Sequence, residues 1–293
     1  MMSNVFPAPA KVNLHLAVTN VRDDGLHDLH TSFVYVDVAD NLDISLAKGL
    51  RVTCSIPALS GEKNLVFRVL QAFRKRFGVT QGLRIHVNKA LPAQAGLGGG
   101  SSDAATALMV ANQLWGVGCN VATLIDFAAP LGADIPCFLF GQASLAQGVG
   151  EQLTPYPHAI PDADIVLAWP GSGVSTAEAF DHFDRKYFHA LTDESGGVKV
   201  RARSDDDTFG LGVNDLEQSA LDLCQPLQAM LSMMRSQSIR AWMSGSGSAC
   251  VALCHSPEDA RQLAEYLKNN QLASWVHTGK FLSKHPLMMN IGA

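Results

Sequence analysis

The chain has 293 residues, of which 47% are hydrophobic and 17% charged, a balance typical of proteins that bury sizeable cores. Its formal net charge of −5 argues against a dedicated nucleic-acid binder, which would carry a basic surface. No apolar run reaches the ~18 residues of a membrane span, and the first residues lack the basic flank and apolar core of a signal peptide.

The cysteines and histidines indicate neither a disulfide framework nor a metal site. The six cysteines form no CxxC pair, and the ten histidines show no HExxH or other metal-binding spacing. We therefore expect a cytoplasmic protein with buried thiols, no resident metal ion, and no nucleic-acid or membrane partner.

Alternation of apolar and polar residues predicts a first strand over residues 11–18, with Lys11 and Asn13 sharing its polar face. The other predicted elements follow in chain order: a glycine-containing connection over 22–31, two short strands over 31–46 with a polar break at Asp40 and Asn41, a helix over 64–78, a strand over 82–89, a helix capped by Ser102 and running to about Trp115, a helix from 120 to near Gly132, a strand over 165–170, a polar surface loop over 191–212, a helical stretch over 215–237, a strand–glycine turn–strand over 239–254, and a helix over 257–270.

These strands and helices are mixed without repeated βαβ units, which favours an α+β fold. Three prolines occur within residues 155–161, and such a cluster is typical of a linker. We therefore predict two domains, over residues 1–157 and 158–293.

The most informative stretch is AGLGGGSSDAA, residues 95–105, in which four glycines fall within five positions ahead of an alanine-rich run. It is not a Walker A loop, because no lysine follows the glycines. It fits the Rossmann pattern poorly, since the third glycine is missing and residues 89–95 separate it from the preceding strand. Glycines would let backbone N–H groups approach a polyphosphate at the positive end of a helix. A tight packing turn is the remaining alternative.

Three motifs resemble those of the GHMP kinases, small-molecule kinases that bind ATP without a Walker loop. They are PAPAKVNLHL at 7–16, PAQAGLGGGSSDAA at 92–105 and MSGSGSACVAL at 243–253, in the family's order. Two further segments, RDDGLHDLHT at 22–31 and LGADIPCFLFG at 131–141, resemble one branch of that family. This branch phosphorylates the 2-hydroxyl of a cytidine diphosphate-linked methylerythritol in the non-mevalonate route to isoprenoids.

The resemblance implies a two-domain GHMP kinase fold of the α+β class. The N-terminal domain would be of the ribosomal protein S5 domain 2 type and the C-terminal domain ferredoxin-like, with ATP and substrate meeting in the cleft between them. ATP would enter as its Mg²⁺ complex, although the sequence offers no carboxylate cage for the ion. The partner would be the small-molecule substrate, and the chain would act as a monomer or weak homodimer.

Phosphoryl transfer needs a positioned hydroxyl, a group that accepts its proton, and cations or amides that absorb charge on the transferred group. By resemblance, Asp134 is the catalytic base and Lys11 is the cation that keeps its carboxylate ionised. Without the resemblance, Asp134 would be interpreted as a cap and Lys11 as a solvated side chain on an edge strand.

The resemblance also assigns binding residues by position. The residues expected around ATP are Pro92, Gly96, Leu97, Gly98, Gly99, Gly100, Ser101, Ser102, Lys89 near the phosphates and Asn64 near the adenine. The residues expected around the substrate are Asn13, Leu26, His27, Thr176, Phe180, Gly245, Ser246 and Gly247.

One position departs from the family pattern. The family usually reads Asp-Gly-Tyr-His, with the tyrosine ring stacked on cytosine, whereas this chain has DGLH with Leu26. A leucine has no π face, so we expect a loss of stacking of about 1–3 kcal/mol by analogy with other bases stacked on aromatic rings.

Two other functions remain as alternatives. The first is another GHMP kinase, acting on homoserine, mevalonate or a sugar; the segments RDDGLHDLHT and GADIPCF argue against it. The second is a nucleotide-binding protein without catalysis, if the Lys11–Asp134 arrangement were not used. A panel of acceptors and a measurement of ADP release distinguish the three.

Overall fold

The structure is a computed structural model that describes residues 5–188 and 211–290. Its strands form a seven-stranded sheet and a four-stranded sheet, both covered by helices, which confirms the predicted α+β class. None of the helices in this part of the chain has the length and hydrophobicity that a membrane crossing requires.

The strands of the first sheet are β1 (Val5–Val21), β2 (His27–Ala47), β3 (Arg51–Cys54), β4 (Gly82–Asn88), β5 (Ser144–Gln147), β6 (Gln152–Pro155) and β11 (Phe281–Leu282). They have the order β3–β4–β2–β5–β6, and β1 and β11 also pair with β2. Four helices belong to this half: α1 (Leu65–Phe77), α2 (Gly99–Leu114), α3 (Val121–Ala128) and α4 (Ile135–Phe140).

Helix α1 shows how local sequence sets these boundaries. The side chain of Asn64 caps its N-terminus by accepting a hydrogen bond from the Val66 N–H (2.8 Å), and Gly78 ends it in the left-handed conformation at φ 68°. Val66, Val69 and Phe73 lie on one face at helical spacing and are buried in the core shared with the sheet.

The strands of the second sheet are β7 (Asp164–Trp169), β8 (Arg240–Met243), β9 (Cys250–Cys254) and β10 (Trp275–Gly279). This sheet is antiparallel, with the order β10–β7–β9–β8. The accompanying helices are α5 (Thr176–Phe183), α6 (Glu217–Leu223), α7 (Gln225–Ser236) and α8 (Pro257–Asn269). With the three helices α5–α7 together in the place of the first helix, the succession is the β-α-β-β-α-β order of the ferredoxin-like arrangement expected for the C-terminal half.

The C-terminal segment returns to the first sheet. β11 pairs with β2, and it is followed by the short helix α9 (Pro286–Asn290). The His285 N–H donates to the Gly141 carbonyl at 2.9 Å, so this segment is hydrogen-bonded to the end of α4. The division into 1–157 and 158–293 stays a prediction.

Four predicted elements differ from the structure. The connection expected over 22–31 ends earlier, because residues 27–31 belong to β2. The two strands expected over 31–46 are one continuous strand, β2, because the carboxylate of Asp40 is wholly buried against Lys89 instead of breaking the chain in solvent. Helix α2 begins at Gly99, so Ser102 lies inside it and is not its cap. The helical stretch over 215–237 is two helices, separated at Cys224.

The polar face of β1 is buried, although the sequence alone predicts a solvated face. Lys11, Asn13 and His15 are all nearly as buried as the apolar residues between them. Both faces of this strand are therefore covered, the apolar face by side chains of the second sheet and the polar face by side chains of β2. The loop predicted over 191–212 lies outside the described residues except for its last two positions, which form a turn.

Candidate active site

A cavity of about 890 Å³ is lined by residues from both halves of the chain. Most of the residues predicted for the site line it, namely Lys11, Asn13, Asn64, Lys89, Pro92, Gly96, Leu97, Gly98, Gly99, Gly100, Ser101, Asp134, Thr176, Phe180, Gly245, Ser246 and Gly247. The structure therefore brings segments together that are up to 236 positions apart in the sequence, from Lys11 to Gly247.

Lys11 and Asp134 form an ion pair in the cavity wall, with Nζ and Oδ2 3.7 Å apart. The Lys11 side chain is only 4% exposed, whereas that of Asp134, directly before α4, is 39% exposed. The Lys11 ammonium also donates to Asn13 Oδ1 at 2.8 Å and lies 5.2 Å from the centroid of the Phe33 ring. The cation is therefore held in place, while the carboxylate remains open to a ligand.

Asn13 connects the two sheets at this point. Its Nδ2 donates to Thr31 Oγ1 at 2.7 Å, and its backbone N–H donates to Ser244 Oγ at 3.1 Å. The indole N–H of Trp242 donates to the Asn13 carbonyl at 2.8 Å. The side-chain amide is thereby oriented with its oxygen toward Lys11.

The first glycine turn depends on backbone that other residues rarely adopt. Gly96 and Gly98 have φ of 80° and 70°, and a Cβ on Gly98 would lie 2.9 Å from the Phe138 ring and 3.0 Å from Lys11 Cγ. The Lys11 N–H donates to the Leu97 carbonyl at 3.0 Å, which joins the turn to β1. Helix α2 starts directly after it, so free N–H groups of its first turn adjoin the cavity.

The second glycine turn, Ser244–Gly247, connects β8 to β9 and approaches the first. Gly245 and Gly247 have φ of 59° and 91°. A Cβ on Gly96 would lie 2.7 Å from the Ser244 carbonyl oxygen, so the two turns meet backbone to backbone. The hydroxyls of Ser246 and Thr176 are 2.9 Å apart, which connects this turn to the start of α5.

Lys89, expected beside the phosphates, lies at the cavity but is already paired. Its ammonium contacts Asp40 on β2 and Asp103 on α2, the latter at 3.0 Å, and all three side chains are buried. The other oxygen of Asp40 accepts the N–H groups of Ala90 and Leu91 at 2.6 and 2.9 Å. The cluster thus fixes the chain between β4 and the first glycine turn.

Burial and charge shift the titration of this cluster. Burial raises the pKa of Asp103 to about 7, since the nearby Lys89 ammonium, which lowers it, offsets only part of the effect and Asp40 raises it further. Burial alone would lower the pKa of Lys89, but the charges of Asp103 and Asp40 outweigh it and raise that pKa. The Oδ1 atom of Asp103 is buried and has no hydrogen-bond partner among the described residues.

Asn64 lines the cavity, but its side chain is used structurally. Besides capping α1, its Nδ2 donates to the Leu59 carbonyl at 2.6 Å. It therefore fastens the short turn Pro57–Leu59 to the start of the helix. Ser102 does not line the cavity; it is buried, and its hydroxyl has no partner among the described residues.

At the other end, His27 and Phe180 stack with their ring centroids 4.3 Å apart. His27 Nε2 is 2.8 Å from Asp184 Oδ1, and the histidine is buried outside the cavity lining. Leu26 is also outside the lining and is 51% exposed. Of this group, only Phe180 borders the cavity directly.

Sequence reasoning missed several residues of this site. Thr31 and Ser244 orient Asn13, and Asp40 and Asp103 hold Lys89. Asp103 directly follows the serines of the glycine motif, so its position in that motif was the available signal. The others are far apart in the sequence and carry no local pattern.

The described residues contain no group of three or more His, Cys, Asp or Glu side chains that could hold a metal ion. Of the acidic residues that line the cavity, Asp103 and Asp134 are paired with lysines. This donor set does not amount to a metal site built by the protein.

Comparisons with known proteins agree with the geometry. The family model of the GHMP kinases N terminal domain matches residues 64–142, and that of the GHMP kinases C terminal domain matches residues 199–273. A 4-diphosphocytidyl-2-C-methyl-D-erythritol kinase of Desulfitobacterium hafniense is 38% identical over 275 residues, covering 92% of this chain and 94% of the relative. One of Nitrosomonas europaea is 37% identical over 291 residues, covering 97% and 99%.

Solved structures give the same result. A crystal structure of 4-(cytidine 5'-diphospho)-2C-methyl-D-erythritol kinase matches with a TM-score of 0.74 and 34% identity, covering 94% of this chain and 98% of the other. A homoserine kinase from Cytophaga hutchinsonii matches with a TM-score of 0.62 at 18% identity, covering 97% of each chain, a likeness of fold alone. The predicted family resemblance is confirmed.

Proposed function

The chain belongs to the 4-diphosphocytidyl-2-C-methyl-D-erythritol kinase family of the GHMP kinases, and from this premise we propose that it transfers the γ-phosphate of ATP to the 2-hydroxyl of 4-diphosphocytidyl-2-C-methyl-D-erythritol. This reaction belongs to the non-mevalonate route to isoprenoid precursors. The observation that carries the proposal is the Lys11–Asp134 pair, located in one cavity with two glycine turns and a helix N-terminus.

In the proposed reaction, Asp134 accepts the proton of the substrate 2-hydroxyl, and the oxygen of that hydroxyl attacks the γ-phosphorus of ATP. The bond from that phosphorus to the β–γ bridging oxygen breaks, and ADP leaves with the electron pair. Lys11 stabilises negative charge that develops on the transferred group. The exposure of Asp134 supports this role, because a base must reach its substrate.

The proposed ligand positions follow the walls of the cavity. The polyphosphate would bind along Gly98–Ser101, where N–H groups of the α2 N-terminus are available, and the adenine would lie toward Asn64. The methylerythritol would lie by Asn13 and the second glycine turn, with the cytosine toward Phe180 and Thr176.

Mg²⁺ would enter with ATP, since the charge of the transferring phosphoryl group must be neutralised. The described residues that line the cavity do not form a cage for the ion, so its ligands would come from the phosphates and water.

We also propose that the chain works in the cytoplasm as a monomer or weak homodimer on this small-molecule substrate. The net charge of −5 supports the absence of a nucleic-acid partner, and gel filtration with light scattering would establish the oligomeric state.

The experiment combines purified protein with Mg²⁺-ATP and 4-diphosphocytidyl-2-C-methyl-D-erythritol and follows ADP release, with Asp134→Asn in parallel. We expect turnover in the parent and a loss of about 10²-fold or more in the variant. Full activity in Asp134→Asn would remove the assigned base. No turnover in the parent, with ATP still bound, would overturn the acceptor and direct the search to homoserine, mevalonate and sugars.

A further inference from the structure

The segment that leads into α6 runs along β1, the strand that carries Lys11 and Asn13. The Gly212 N–H donates to the Leu14 carbonyl at 2.7 Å. The Leu16 N–H donates to the Val213 carbonyl at 2.8 Å, and the Leu16 carbonyl accepts the Asp215 N–H at 3.0 Å. Three backbone hydrogen bonds therefore hold this part of the C-terminal half at a fixed register on β1.

Asn214, in the middle of this segment, directs its side chain to the second glycine turn. Its Nδ2 donates to two carbonyl groups, that of Met243 at 2.9 Å and that of Gly245 at 2.8 Å. Its Oδ1 accepts the N–H of Leu216 at 3.0 Å, a local turn that precedes α6. One amide group thus serves two separable purposes.

Of the two carbonyl groups that Asn214 holds, one ends β8 and the other belongs to Gly245, the glycine of the turn that lies beside Lys11 and Asn13. A Cβ on Gly245 would lie 3.3 Å from Asn13 Oδ1 and 3.4 Å from Lys11 Nζ. Glycines at φ of 59° and 91° have no side chain that could fix the turn by packing, so hydrogen bonds must determine its position.

We propose that Asn214 is a positioning residue for phosphoryl transfer: it carries the register of β1 across to the second glycine turn and so keeps that turn against Lys11 and Asn13. The inference rests on the proposed kinase function. Without the two donated hydrogen bonds the turn would shift away from Lys11, and a misplacement of about 1 Å at a reacting centre is sufficient to cost about 10²-fold in rate.

Asn214→Asp separates the two purposes of the side chain. The variant keeps an oxygen that can accept the Leu216 N–H, but it replaces both donated hydrogen bonds with a carboxylate facing two carbonyl oxygens. Asn112→Asp is the matched control, since Asn112 on α2 donates to the Cys119 carbonyl and accepts the Cys119 N–H, both at 2.9 Å. It makes the same chemical change outside the cavity lining.

The measurements are kcat and KM for the acceptor, ATP affinity by calorimetry, and the melting temperature of each protein. We expect kcat/KM for the acceptor to fall at least about 10-fold in Asn214→Asp, while ATP affinity stays close to that of the wild type. Asn112→Asp should lower the melting temperature by a similar amount without this kinetic loss.

Equal kinetics in the two variants would overturn the positioning role and leave the proposed function intact. An inactive wild type would overturn the proposed function and this inference with it. If Asn214→Asp does not fold, Asn214→Ala is compared with Asn112→Ala, since each variant removes one side-chain donor group and one acceptor without adding a charge. Wild-type kcat/KM in Asn214→Ala would equally overturn the role.

Discussion

At the scale of single residues, the proposed binding of the cytosine base can be tested at Leu26, which occupies the position of the tyrosine in the family pattern. The side chain is 51% exposed, next to the buried His27, which stacks on Phe180. We predict that Leu26→Tyr lowers the KM for the acceptor, because an aromatic ring stacked on a base contributes about 1–3 kcal/mol. The KM for ATP is the internal control, and an unchanged KM for the acceptor would show that the base does not reach this position.

The second prediction concerns Asp103 and how the free energy of unfolding depends on pH. Its pKa is about 7 in the folded chain, above its ordinary value of 3.8, so the folded chain keeps this proton at pH values where the unfolded chain has lost it. The resulting contribution to the free energy of unfolding is complete below the unfolded pKa and is lost as the pH rises to about 7.

Asp103→Asn removes this contribution and keeps the shape of the side chain. We expect the melting temperature of the wild type to fall more steeply than that of the variant between about pH 5 and pH 8, whereas other titrating groups act on both proteins alike. Parallel profiles would contradict the raised pKa of Asp103 and indicate that Lys89 compensates its charge fully.

At the scale of elements, two glycines at the start of α2, Gly98 and Gly100, differ in whether their position requires glycine. Gly98 has φ of 70° and no space for a Cβ, whereas a Cβ on Gly100, within the helix, would meet nothing within 4 Å. We predict that Gly98→Ala lowers the free energy of unfolding by at least about 1 kcal/mol through the left-handed backbone alone. It should also reduce turnover, because the added methyl group would displace Lys11.

Gly100→Ala is the comparison for stability. Alanine favours a helix over glycine, so this variant should be as stable as the wild type or more stable by up to about 1 kcal/mol. Denaturant unfolding of both proteins tests the pair. Equal destabilisation would mean that the whole turn, and not the conformation of Gly98, limits stability.

At the scale of the whole molecule, the C-terminal segment joins the end of the chain to the first sheet. His285 is wholly buried, its ring meets that of Tyr35 edge-on, and its Nδ1 accepts the Leu287 N–H at 3.2 Å. Burial lowers the pKa of His285 to about 4 from its ordinary value of 6.5.

This burial of a neutral histidine predicts acid sensitivity. The unfolded chain gains a proton on His285 as the pH falls below 6.5, whereas the folded chain does so only near 4, so stability is lost over this window. We expect His285→Asn, which retains an acceptor, to flatten the dependence of the melting temperature on pH between about 7 and 5. A variant that loses stability as steeply as the wild type would show that other groups cause the acid sensitivity.

Much of the fold was predictable because its signals are local. The alternation of β1, the cap and terminal glycine of α1, and the strand–turn–strand around Gly245 are each determined by a few consecutive residues. Short elements gave no such signal: β11 has two residues, and its pairing with β2 depends on a long return of the chain. The roles assigned to the site residues stay predictions.

By itself, the sequence determined the glycine turns, the order of the motifs and hence the family, because positive φ and periodicity leave their mark in adjacent residues. Only the tertiary structure decided that Lys89 is neutralised by Asp40 and Asp103, that β2 continues through Asp40, and that Asn214 holds the second glycine turn. From the sequence alone, a polar residue is predicted to lie in solvent. It can be buried only when a partner on another element lies close enough to pair with its charge, and the sequence does not show that partner.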